Sequence, residues 1–89
     1  MKVGVVGLGL IGGSMAKAIQ KKTEHTVVGW DASKTVRLSA KLLETADEFM
    51  ADGNPKDCDL VLIALYPQAT VDYVTQHAKE FKKGAMVVD

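Results

Sequence analysis

The sequence predicts an α/β protein, a parallel sheet with helices on both faces, wound in two directions from its first strand. Three observations carry that prediction. Short apolar runs at Lys2–Val6, Thr26–Asp31, Leu60–Leu65 and Ala85–Val88 alternate with amphipathic stretches, the pattern of βαβ units. The first run enters Gly7-Leu8-Gly9-Leu10-Ile11-Gly12, a G-x-G-x-x-G turn that opens a helix. The second run ends on an acid, Asp31, which lies 19 residues after Gly12.

Each element has its own warrant. Val3, Val5 and Val6 suit a strand buried on both faces. A first helix is expected from Leu10 to Lys22, with Ile11, Met15, Ala18 and Ile19 as its apolar stripe. Lys17, Lys21 and Lys22 sit late in it, where they favour the negative end of the dipole. In the second strand, Gly29 marks a close approach of backbone. Ser33 is an N-cap for a second helix over residues 34–43, with Val36, Ala40 and Leu43 facing inward.

The stretch 44–56 is the least legible. Thr45-Ala46-Asp47 is assigned a short third strand and Gly53-Asn54-Pro55 a turn, with Pro55 opening one helical turn through Cys58. Leu60–Leu65 is the clearest strand. Pro67 stops it and starts a helix with Val71, Val74, Ala78 and Phe81 on one face, Lys82 and Lys83 at its end and Gly84 as its cap. With right-handed crossovers, the expected strand order is 3-2-1-4-5, a Rossmann-like sheet of four or five strands.

Composition narrows the function classes. Residues are 47% hydrophobic and 25% charged, with 11 bases balancing 11 acids, ordinary for a globular chain. That balance argues against nucleic acid or an anionic membrane as partner. Lysines gather in residues 1–22 and acids in residues 44–59, read as solvated faces. The single cysteine, Cys58, allows no internal disulfide and no zinc cluster, and is read as a buried or half-buried thiol. Neither a signal peptide nor an apolar run of membrane-spanning length is present, so the expected location is cytoplasmic.

The chemistry is expected beyond the carboxyl ends of the strands. Gly7 permits the sharp turn, Gly9 lets a pyrophosphate approach the backbone, and Gly12 lets helix and sheet pack closely. The amides of Leu10 and Ile11 are the expected phosphate donors. Asp31 would hold the adenosine ribose hydroxyls, which favours NAD over NADP, although Lys34 and Arg37 stand near enough to partner a 2′-phosphate. Leu65, Tyr66 and Pro67 would run past the riboses; for Tyr66, packing is an equal alternative. No catalytic constellation is visible and no metal site. His25 and His77 are read as surface histidines, and Asp47 with Glu48 as loop solvation. Asp89 could approach a nicotinamide or cap the next element of the chain.

Gly7-Leu8-Gly9-Leu10-Ile11-Gly12-Gly13-Ser14 resembles the start of the prephenate/arogenate dehydrogenase family of tyrosine biosynthesis. Asp59–Pro67 and Met86-Val87-Val88-Asp89 resemble that family too. The resemblance implies oxidative decarboxylation of prephenate or arogenate, with hydride passed to NAD or NADP, by an enzyme that is a homodimer at full length. It also implies that the catalytic histidine, its serine and the substrate arginines lie beyond Asp89. Residues 1–89 are therefore expected to be an incomplete dinucleotide-binding domain, inactive alone, with an exposed edge at the last strand. Two other readings fit the same residues: a different GLGxxG enzyme of the hydroxyisobutyrate dehydrogenase or pyrroline-carboxylate reductase type, and a nucleotide-binding module without chemistry.

Overall fold

A computed structural model describes residues 1–89. Five parallel strands form one sheet: β1 (Lys2–Val6), β2 (Thr26–Trp30), β3 (Glu48–Phe49), β4 (Leu60–Ile63) and β5 (Met86–Val88). Their order across the sheet is β3-β2-β1-β4-β5, as the alternation of elements predicts. The helices are α1 (Leu10–Lys22), α2 (Lys34–Leu42) and α3 (Pro67–Gln76).

The period of two along each strand divides the core into two layers. Val5 and Val27 face one side of the sheet, where they pack with Leu8, Ala16, Ala40 and Ala46 beneath α1 and α2. Val6, Val28, Val61 and Ile63 face the other, packed with Met50, Cys58 and Tyr73 beneath α3. Cys58 is buried, as expected, and burial beside the Asp57 and Asp59 carboxylates pushes its thiol up to about 11.

The structure corrects several boundaries. The inner face of α1 is Gly12, Ala16 and half-buried Ile19; Ile11 is 72% exposed and Ala18 points outward. Small residues win there because the helix lies too close to the sheet for larger ones. In α2 the Ser33 hydroxyl accepts the Val36 N–H as an N-cap, but Leu43 lies past the last turn and is exposed. The third strand is Glu48–Phe49, later than Thr45–Asp47. The Thr45 N–H is taken by the Ala40 carbonyl at the end of α2, so pairing with β2 starts only at the Asp47 N–H, bonded to the Val27 carbonyl. Asp47 is more than loop solvation, since its carboxylate accepts the Val27 N–H and the Gln20 amide.

β4 ends at Ile63 and α3 at Gln76, both short of their expected limits, and Gly84 (φ +83°) sits in the turn before β5 rather than capping a helix. The buried residue of α3 is Tyr73, not Val71, which is 57% exposed. The Tyr73 ring buries more apolar area than a valine and its hydroxyl finds the Gly53 carbonyl at 2.8 Å. β5 is an edge strand with Met86, Val87 and Val88 exposed. No helix is long and apolar enough to cross a membrane.

Candidate functional site

The strand order places the glycine turn where the winding reverses, between the carboxyl ends of β2 and β4. The Gly7 N–H donates to the Trp30 carbonyl at 2.8 Å, and the Ala64 N–H donates to the Val6 carbonyl at 2.8 Å. Gly7 has φ +94°, and a Cβ there would lie 2.4 Å from the Ala64 carbonyl oxygen. At Gly12 a Cβ would lie 1.7 Å from the Gly7 carbonyl oxygen and 3.2 Å from the Ala64 methyl. The fold itself requires both glycines.

Gly9 differs. Its φ of −69° suits any residue, and a Cβ built on it meets nothing within 4 Å. It borders the start of α1, whose first closing bond runs from the Gly13 N–H to the Gly9 carbonyl at 2.8 Å. The amides of Leu10, Ile11 and Gly12 precede that bond and have no partner within the helix. No side chain caps them and no acid stands in the first turn, so the positive end of the dipole faces an open cleft.

That cleft has a volume of about 590 Å³. Gly7, Gly9, Leu10, Ile11, Gly12, Asp31, Leu65 and Tyr66 all line it; Pro67 does not, and serves instead as the first residue of α3. Leu10 and Tyr66 are 90% and 87% exposed, an apolar rim around polar backbone. A second cleft, about 490 Å³, shares Gly7, Asp31, Leu65 and Ala69 with the first. It runs from Trp30 at the end of β2 and Arg37 of α2 across to Tyr73, Gln76 and His77 of the α3 segment. Asp89 lines neither.

Asp31 stands between the two clefts and also builds the turn. One carboxylate oxygen accepts the Leu8 N–H at 2.9 Å and the other the Ser33 N–H at 2.9 Å. Each oxygen keeps a further lone pair for a ligand hydroxyl. Arg37 does not pair with that carboxylate. Its guanidinium donates to the Asp31 and Ala32 carbonyls at 2.7 and 3.1 Å and lies 4.6 Å from the centroid of the Trp30 ring.

His25 lies at the amino end of β2, its Nδ1 3.1 Å from the terminal amine, far from both clefts. His77 is not a surface residue: it is 6% exposed, stacked near Tyr73 at a centroid distance of 4.5 Å, with Nδ1 bonded to Glu80. Burial pushes the Tyr73 phenol well above its ordinary range, so it stays a donor to the Gly53 carbonyl. Sequence reasoning placed Arg37 near Asp31 but missed the wall that it forms with Trp30, Tyr73 and His77. The usable signal was Tyr73 and His77 at i, i+4, two rings on one helix face.

Comparison with known proteins decides the family. Residues 2–89 match the family model of the NAD binding domain of 6-phosphogluconate dehydrogenase. The chain belongs to this family of NAD-binding domains. Among solved structures, it is similar to arogenate dehydrogenase from Synechocystis, with TM-score 0.88 and 24% identity over 98% of this chain and 31% of that one. It is also similar to prephenate dehydrogenase from Aquifex aeolicus in complex with hydroxyphenyl propionate and NAD+, with TM-score 0.87 and 22% identity over 98% of this chain and 32% of that one. The NAD-binding domain thus spans about a third of the length of those proteins. At these identities the likeness establishes the shared fold. No curated protein matches the chain significantly.

Proposed function

We propose that this NAD-binding domain is the cofactor half of an oxidoreductase that dehydrogenates prephenate or arogenate. The observation that carries the cofactor site is Gly9. Its glycine neighbours are demanded by packing, whereas nothing in the protein fills the space beside Gly9. A small residue there makes sense for a ligand that approaches the backbone, and the free amides of Leu10, Ile11 and Gly12 suit a pyrophosphate.

In this reading Asp31 holds the adenosine ribose through its remaining lone pairs. The adenine then extends into the cleft beneath Trp30 and α3, and the nicotinamide end lies in the cleft rimmed by Leu10, Ile11, Leu65 and Tyr66. NAD, when bound, supplies the hydride acceptor. The chain's own residues bind it, orient it and exclude water from it. A carboxylate at the ribose repels a 2′-phosphate, and Arg37 is held on backbone carbonyls, so NAD is the preferred cofactor.

The substrate assignment is supported by the GLGLIGGS turn and by the fold shared with the arogenate and prephenate dehydrogenases. It goes with a cytoplasmic location and a homodimeric full-length enzyme. The test is the coding sequence beyond the codon for Asp89. A Ser-x-Lys segment, then a His-Pro stretch and a helical domain, is the expected result. A stop codon would overturn the dehydrogenase reading and leave a binding module.

A further inference from the structure

The cleft assigned to adenine contains one polar side chain that the fold buries yet does not fully use. His77 is 6% exposed and lines that cleft. Its Nδ1 is bonded to the Glu80 carboxylate. Its Nε2 has no partner in the protein and is not sealed away from solvent, and His77 lines the cleft. A carboxylate only accepts, so the Nδ1 that faces Glu80 carries a proton, and in the neutral imidazole Nε2 then holds the lone pair. The Tyr73 ring packed against the imidazole fixes its plane.

We propose that His77 reads the exocyclic amine of the adenine ring, with Glu80 as the positioning residue that sets its tautomer. The proposal rests on the nucleotide site proposed for these clefts and adds a residue-level basis for base selection. An acceptor in this position matches the 6-amino donor of adenine. It opposes the 6-oxo group of hypoxanthine, which would set two acceptors against each other inside a partly desolvated cleft. Asp52, Asp72 and Gln76 also line the cleft with acceptor oxygens but are exposed to solvent, whereas the buried Tyr73 hydroxyl is spent on the Gly53 carbonyl and the Arg37 guanidinium can only donate.

The experiment is calorimetric titration of residues 1–89 with NAD and with nicotinamide hypoxanthine dinucleotide, which differ at the 6-position, amine against oxo, and in the proton that the oxo form carries on the adjacent N1. The wild-type chain is expected to bind NAD about tenfold more tightly, the effect of one hydrogen bond exchanged for an acceptor clash. His77→Phe, which keeps a ring against Tyr73, is expected to bring the ratio close to one. Glu80→Gln lets the amide donate to Nδ1 and frees the other tautomer, so it should narrow the ratio without removing any cleft atom; it carries the test if the Phe variant does not fold. A merely structural His77 would weaken both ligands equally and keep the tenfold ratio, which overturns the proposal. So would equal affinities in the wild type. Failure of the wild type to bind either dinucleotide would instead overturn the nucleotide site itself.

Discussion

Gly9 and Gly12 are three residues apart in one motif, and the structure assigns them opposite kinds of necessity. A side chain at Gly12 must displace the Gly7 carbonyl or the Ala64 methyl, neither of which is a flexible end. Gly12→Ala is therefore expected to cost about 3 kcal/mol or more, the upper range for overpacking. Gly9→Val places its methyls in open cleft at an ordinary φ and should melt within a few degrees of the wild type. Thermal unfolding of the two variants checks the contrast. The motif itself was legible from the sequence, including Asp31 at its expected distance. What the sequence did not reveal is that Asp31 also anchors the turn through the Leu8 and Ser33 amides, because a backbone partner leaves no trace in residue identity.

At the scale of elements, legibility followed the strength of the periodic signal. β1, β2, α1 and the order of the sheet came from long apolar runs and from glycines with one physical use. β3 did not, since two paired residues carry no period and the end of α2 decided where pairing could begin. α3 misled because two stripes overlap on it, and periodicity assigns no weight to a tyrosine whose hydroxyl finds a distant carbonyl. The same absence of local signal hides Asp59, which joins three elements. Its carboxylate accepts the Lys2 N–H of β1 at 2.9 Å and pairs with Lys82 ahead of β5.

Lys82 first, and the Lys2 amide second, hold the Asp59 carboxyl below its ordinary value. The unfolded chain takes up that proton near pH ~4. The contribution is thus fully present above about pH 4 and is lost as pH falls through the lower folded value. Asp59→Asn should lower the urea midpoint at neutral pH, and its deficit against the wild type should shrink as the pH falls below about 4. A deficit that stays constant with pH would show that the carboxylate charge plays no part.

For the whole molecule, doubly wound topology explains why the binding features converge. Residues from β1, β2, the start of α1 and the β4–α3 junction are distant in sequence, yet parallel strands deliver them all to one edge of the sheet. The opposite edge receives only connections, among them His25. The most direct test of the cofactor site is calorimetry of NAD against the wild-type chain and Gly9→Val. One-to-one binding is predicted for the wild type, and no detectable heat from a Gly9→Val variant that melts normally. A folded variant that bound NAD with wild-type affinity would contradict the site, since the space beside Gly9 would then not be where the pyrophosphate sits.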